Sequence, residues 1–130
     1  MSPPPRSPFH SFSRWEGAMV GAVALVAYFL FVYLGDEGRG TIAAAGVGCL
    51  AGSVRICWPL RRELWFWLVI SAFAAIHILA MLAIDWSSAA KWNGLIFMPI
   101  MFLDFAVILT TIYWVFRLIY GAPVKLVIDD

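Results

Sequence analysis

Two ionisable residues stand inside long apolar stretches of the sequence, and they have the most scope for chemistry. His77 lies in LWFWLVISAFAAIHILAMLAI, and Asp104 lies in LIFMPIMFLDFAVILTTIYWVFRLI. An ionisable group in an apolar environment is costly, so each is a candidate functional residue. A carboxylate beside an imidazole can carry a proton or hold a cationic substrate. Alternatively, the two groups satisfy each other and fix the register of two helices, which is the favoured interpretation.

Other catalytic arrangements match the sequence poorly. Ser71 lies six residues before His77, which on a helix turns it well off the face of the imidazole, so a Ser/His/Asp unit is not predicted. Cys49 and Cys57 are eight residues apart on one predicted helix. The corresponding rise of about 12 Å exceeds the reach of a disulfide. Because the sequence also has no C-x-x-C motif or His/Cys cluster, we expect no enzymatic activity, no metal ion and no cofactor.

The composition assigns the chain to the membrane. Of its 130 residues, 63% are hydrophobic and 13% are charged, and the mean hydropathy is +0.88. This leaves too little polar surface to cover a soluble globule of this size. A net charge of +1 provides no large basic surface for a nucleic acid, so no nucleic-acid partner is predicted.

Four segments are long and apolar enough, or nearly so, to cross a bilayer, which takes about 20 residues. They are residues 17–34, 41–58, 64–84 and 95–119, within a transmembrane domain of residues 17–120. Short polar breaks separate them, so successive helices should be antiparallel neighbours in an all-α, up-and-down four-helix bundle. Residues 1–16 and 121–130 are predicted to be cytoplasmic tails, the first one flexible. The first segment is longer than a signal-peptide core and lacks a small-residue cleavage site, so it should be retained.

The basic residues predict the orientation, since cytoplasmic loops retain lysine and arginine. Seven of them fall on one side of the predicted spans and two on the other. The seven are Arg6, Arg14, Arg55, Arg61, Arg62, Arg117 and Lys125, and the two are Arg39 and Lys91. The chain is therefore predicted to be a multi-pass protein of the cell inner membrane with both termini in the cytoplasm.

Helix rise predicts that the two deep polar residues lie at similar depths. His77 should be about 20 Å up the third helix, and Asp104 about 14 Å down the fourth helix from the opposite surface. Their depths then differ by only about a few ångströms, and the short break between the two segments makes the helices neighbours. A hydrogen bond between His77 and Asp104 is predicted if the right faces meet.

Arg55 is the other charged residue within a predicted span. It lies about 21 Å along the second helix, close enough to the cytoplasmic surface to snorkel toward the level of Arg61 and Arg62. The alternative is a fixed ion pair with Glu16 or Glu63, or a contact with a lipid phosphate.

Small residues predict where helices approach closely. Gly17 and Gly21 form a G-x-x-x-G motif in the first segment, and Gly48 and Gly52 have the same spacing in the second. Packing within one chain is favoured over a homodimer seam, because such motifs are common in membrane helices. The fourth segment instead carries bulky side chains over residues 97–105, which should face lipid or a partner.

These features favour a small integral membrane protein that is a non-enzymatic accessory or structural subunit of a membrane assembly. The alternative is a small dimeric proton-coupled transporter or channel that uses Asp104 and His77. In helix number and size the chain is similar to small multidrug transporters, but these have a membrane-embedded acid in the first helix, where Glu16 lies only at the edge. That similarity assigns no residue a role. The expected partners are the lipid bilayer and a homodimer or larger membrane complex.

Overall fold

The computed structural model of the chain describes residues 9, 13–87 and 94–121. Within them it contains the helices α1 (Arg14–Tyr33), α2 (Glu37–Ile56), α3 (Leu64–Ala83) and α4 (Gly94–Tyr120), and a 3₁₀ turn at Trp58–Leu60. None of the described residues forms a strand. α1, α3 and the Phe97–Tyr120 part of α4 are long and apolar enough to cross a membrane. The prediction of an all-helical membrane protein is confirmed to that extent.

α1 and α2 both begin earlier than the apolar segments predict, because polar caps extend them. At α1, Ser13 Oγ accepts the backbone N–H of Glu16 at 3.3 Å, and the Glu16 carboxylate accepts that of Ser13 at 2.9 Å. This reciprocal capping box satisfies two donors that the helix start leaves free. At α2, the Asp36 carboxylate accepts the backbone N–H of Arg39 at 2.9 Å. In both places, polar residues ahead of the apolar stretch belong to the helix.

A tight turn joins α1 to α2, and Gly35 in it has a φ of 82°, a left-handed conformation that favours glycine.

Much of the predicted tails falls outside the described part of the chain, namely residues 1–8, 10–12 and 122–130. Arg6, Lys91 and Lys125, which contribute to the predicted orientation, also lie outside it.

α2 is the central helix of the arrangement. It contacts α1, α3 and α4, whereas α3 and α4 each contact α2 more than they contact one another. The small size of its buried side chains lets its neighbours approach, and those residues are Gly38, Gly40, Gly46, Cys49, Gly52 and Ser53. α2 is not among the helices apolar enough to count as a span, since glycine, alanine and a charged first turn replace large apolar residues.

The best-packed region lies where α2 ends and α3 begins. Its fully buried side chains are those of Cys57, Leu60, Phe66, Ile108 and Ile112. They bring the end of α2, the 3₁₀ turn and the first turn of α3 against the second half of α4. This apolar cluster anchors α3 and α4 at one end of the molecule, and the polar residues of the two helices lie further along.

Candidate functional site

The two deep polar residues contact each other directly. His77 Nε2 on α3 lies 2.9 Å from Asp104 Oδ2 on α4. The other ring nitrogen, Nδ1, lies 2.7 Å from the backbone carbonyl oxygen of Phe73, one turn earlier on α3. The side chains of His77 and Asp104 are 23% and 32% exposed. The site is therefore a side-chain bridge between two helices, with the imidazole held at both nitrogens.

The partners of the imidazole restrict where its protons lie. A carbonyl oxygen can only accept, so Nδ1 carries a proton and donates to Phe73. The bond between Nε2 and Asp104 then needs one further proton, held by the nitrogen as imidazolium or by the carboxyl group. The pair is neutral overall in both forms.

Gly46 on α2 makes room for the imidazole. A Cβ atom at this position would lie 2.8 Å from Cδ2 of His77, closer than real contacts allow. The G-x-x-x-G spacing does not identify Gly46, which lies two residues before Gly48. A helical period running through Ile42, Gly46 and Cys49 does place it on one face, and that pattern was the available signal. The site therefore has three walls, one from each of α2, α3 and α4.

Cys49 completes the α2 side of the site. Its thiol donates to the backbone carbonyl of Met101 on α4, with Sγ 3.6 Å from the oxygen, and it also interacts with the Asp104 side chain. Cys49 and Cys57 are both buried free cysteines. The sequence was searched at Cys49 only for a disulfide or a ligand cluster, so its contact with α4 was not predicted. A cysteine in an apolar helix carries no pattern that identifies its acceptor.

Two cavities adjoin the imidazole. One of about 230 Å³ lies between α2, α3 and α4 and is lined by both His77 and Asp104. The second, of about 280 Å³, lies between α1, α2 and α3 and reaches His77 from the other side. Among the described residues lining either cavity, no titratable side chain accompanies the pair.

Arg55, near the end of α2, is also paired. Arg55 forms an ion pair with Glu16 of α1. This pair is one of the alternatives to snorkelling that the sequence offered. The Arg55 guanidinium also lies 5.7 Å from the centre of the Trp58 ring, and that of Arg61 lies 5.1 Å from the same ring. Arg62 is exposed. Of the predicted basic group, Arg55 and Arg61 share one aromatic ring, and Arg62 points to the surroundings.

Of the glycines predicted to mediate packing, Gly48 and Gly52 face another helix and Gly21 does not. A Cβ at Gly48 would lie 3.7 Å from Ala24 of α1, and one at Gly52 would lie 3.2 Å from Phe105 of α4. Both glycines therefore mediate packing within the chain. Gly17 is partly buried, but a Cβ at Gly21 would have no neighbour within 4 Å. Gly21 thus lies off the face that α1 presents to α2.

Ser53 is a further polar residue of the buried face of α2. It is completely buried, and its Oγ has no hydrogen-bond partner within the described part of the chain. The described residues hold no group of three or more potential metal ligands. No protein-family model, curated protein or solved structure matches this chain.

Proposed function

We propose that the chain is a small multi-pass protein of the cell inner membrane, without enzymatic activity, that acts as an accessory or structural subunit of a membrane assembly. α2 is then a fourth span enclosed by three apolar helices, and both termini face the cytoplasm. The small buried residues of α2 support its enclosed position. The excess of basic residues on one side of the spans supports the orientation.

The observation that carries the structural role is the complete use of the His77 ring. Nδ1 bonds to Phe73 on its own helix and Nε2 bonds to Asp104 on α4. No ring nitrogen is left to bind a substrate or a metal ion. This bond joins α3 and α4 beyond the apolar cluster that anchors one end of both helices, so it is well placed to fix their register.

Association with other subunits would use the outer surfaces of α1 and α4. No residue of α1 is buried within the chain. α4 exposes bulky side chains, including Met98, Phe102 and Leu103. Large side chains on a helix that is already anchored on its other face can pack against lipid or against a further helix.

A second candidate function, a small dimeric proton-coupled transporter or channel, is favoured by the cavity of about 230 Å³ that reaches both members of the pair. In that case the proton shared by His77 and Asp104 is released and regained during each cycle. The two functions differ in what they require of Asp104. Transport needs an ionisable group, whereas a structural bond needs only a donor to Nε2.

Asp104→Asn therefore separates the two functions. The amide N–H of asparagine can donate to Nε2, so the structural role predicts that this variant folds and assembles like the wild type. Asp104→Leu has no donor for Nε2 and should weaken both folding and assembly. The proposal is tested by blue-native electrophoresis of membranes extracted in mild detergent. Wild-type protein that migrates only as a free monomer or homodimer would contradict a subunit role. Asp85→Asn, which changes an exposed carboxylate in the α3–α4 connection, is the matched control.

Proton flux in proteoliposomes tests the second function. If the chain is a transporter, the wild type shows pH-dependent flux that Asp104→Asn abolishes and Asp85→Asn retains. Equal flux in wild type and Asp104→Asn would eliminate that function. An infrared difference spectrum of the two proteins provides an independent measurement, because only a titrating Asp104 gives a carboxyl band that varies with pH and is missing in Asp104→Asn.

The orientation is tested by labelling cysteines with a membrane-impermeant maleimide. Arg62→Cys and Asp85→Cys place thiols at exposed positions at opposite ends of α3. The native Cys49 and Cys57 are buried and should contribute little background. We expect Asp85→Cys to react in intact cells and Arg62→Cys only after the membrane is permeabilised. The reverse pattern would contradict the proposed orientation.

A further inference from the structure

A groove separate from the His77 site runs between α1 and α2. It has a volume of about 290 Å³, and its lining residues are Glu16, Met19, Val20, Val23, Ala51, Val54, Arg55 and Trp58. The side chains along most of its length are apolar. The charged and aromatic residues lie at one end, where α2 finishes and α1 begins. The groove is thus amphipathic along its axis, with an apolar body and a charged mouth.

The mouth of this groove presents guanidinium groups on an aromatic support. Arg55 and Arg61 lie 5.7 and 5.1 Å from the centre of the Trp58 ring. Arg61 also donates to the backbone carbonyl of Trp58 at 3.3 Å, and it is exposed. Glu16 pairs with Arg55 on the side of α1 and leaves Arg61 without a carboxylate among its described contacts. Cation–π contacts hold a guanidinium in place while its N–H groups remain available for an anion.

The chain segments next to the mouth contain more arginines than carboxylates. The two chain segments that form it contain Arg14, Arg55, Arg61 and Arg62 against Glu16 and Glu63. This is a local excess of two positive charges in a chain whose total is +1. Tryptophan and arginine at the end of a membrane helix are typical of the headgroup level. An anion is therefore attracted to the same end of the groove at which the apolar walls begin.

We infer that this groove is a binding site for one anionic phospholipid, with the phosphate at Arg61 and Arg55 and the start of one acyl chain between α1 and α2. The phosphate accepts guanidinium hydrogen bonds that water otherwise receives. From Glu16 to Val23 the groove follows α1 for about 10 Å, so it takes the first part of the chain and the remainder stays in the bilayer. A free phosphate ion makes no use of the apolar walls, and a zwitterionic lipid such as phosphatidylcholine gains less from the arginines because its own cation offsets the phosphate charge.

Native mass spectrometry of the full-length protein in mild detergent tests this site, with dioleoyl phosphatidylglycerol as the probe. We expect one phosphatidylglycerol molecule per chain to be retained more strongly than phosphatidylcholine. Arg61→Gln should weaken this binding about fivefold, the effect of removing one basic residue near an anionic lipid. Ala51→Phe fills the groove and should remove the tight one-to-one binding while leaving the arginines in place.

Two matched controls separate the groove from general attraction to basic residues. Arg117 lies 5.5 Å from the Trp114 ring near the end of α4, and neither residue lines this groove. Ala72 is exposed on α3. Arg117→Gln and Ala72→Phe should therefore leave the one-to-one binding unchanged. Where Ala51→Phe does not fold, as judged by gel filtration, the comparison of Arg61→Gln with Arg117→Gln decides.

Several results would overturn the inference. Equal retention of phosphatidylcholine would show that charge does not matter, and equal losses in Arg61→Gln and Arg117→Gln would show unspecific attraction. Full binding by a folded Ala51→Phe would show that the acyl chain lies elsewhere. Displacement of the lipid by excess inorganic phosphate would indicate a site for the anion alone. None of these results depends on the proposed subunit function.

Discussion

Replacing Gly46 by alanine tests the packing of α2 against the His77 ring. The added Cβ would lie 2.8 Å from Cδ2, whereas carbon atoms in good contact are about 3.5–4.0 Å apart. The ring must therefore move by about 0.7 Å or α2 must retreat. A movement of that size along the bond to Asp104 lengthens its 2.9 Å to about 3.6 Å, which is beyond hydrogen-bonding distance.

The expected cost follows from these distances. Overpacking costs about 1–3 kcal/mol, and an interhelical hydrogen bond in a membrane contributes about 0.6–2 kcal/mol. Alanine recovers about 0.5–1 kcal/mol relative to glycine in a helix. We expect Gly46→Ala to lower the free energy of unfolding by about 1–4 kcal/mol. The measurement is unfolding by SDS of protein in mild detergent, followed by tryptophan fluorescence.

Gly48→Ala is the matched control, because Gly48 lies two residues further along the same helix. Its Cβ would meet Ala24 at 3.7 Å, an ordinary contact, so the alanine should stabilise the protein by about 0.5–1 kcal/mol. In a His77→Ala background the obstructing ring is gone, and Gly46→Ala should become stabilising as well. Equal shifts of Gly46→Ala and Gly48→Ala, in the same direction, would show that the His77 ring does not restrict position 46.

Three further substitutions test other contacts by the same unfolding assay. Gly38→Ala places a Cβ against the backbone carbonyl of Trp86. Because backbone atoms cannot move aside by changing rotamer, we expect the free energy of unfolding to fall by about 3 kcal/mol or more. Wild-type stability would contradict this contact. Glu16→Gln keeps a capping residue but leaves Arg55 without its carboxylate and should cost about 1–2 kcal/mol. A double-mutant cycle with Arg55→Gln that gives no coupling energy would argue against the pair. Gly21→Ala adds a Cβ with no neighbour within 4 Å and should stabilise the protein by about 0.5–1 kcal/mol; a loss that depends on protein concentration would show that another chain covers this face.

Apolar length was sufficient to predict the α3 segment, which begins at Leu64 as expected. Apolar length did not predict the starts of α1 and α2. The side chains of Ser13 and Asp36 accept backbone hydrogen bonds there and extend both helices. A hydropathy profile treats such capping residues as breaks. The S-x-x-E pattern of Ser13 and Glu16 was a local signal that could have located the first start.

The sequence predicted part of the candidate site, because the rise of a helix sets the depth of each residue along it. Helix rise alone places His77 and Asp104 at similar depths, and the structure brings Nε2 and Oδ2 to 2.9 Å. Rise does not report rotation about the helix axis, so the contributions of Gly46 and Cys49 were not predicted. Whether the pair has a functional or a structural role stays a prediction.

The physical class of this protein could be predicted without its coordinates, because apolar segments of membrane length are a property of composition along the chain. The sequence also identified which ionisable groups are costly, since His77 and Asp104 interrupt those segments. The central position of the small-residue helix α2 and the pairing of Arg55 with Glu16 became clear from the packing of the helices. Both features depend on how helices rotate and pack against one another, and side chains far apart in the chain set that rotation jointly.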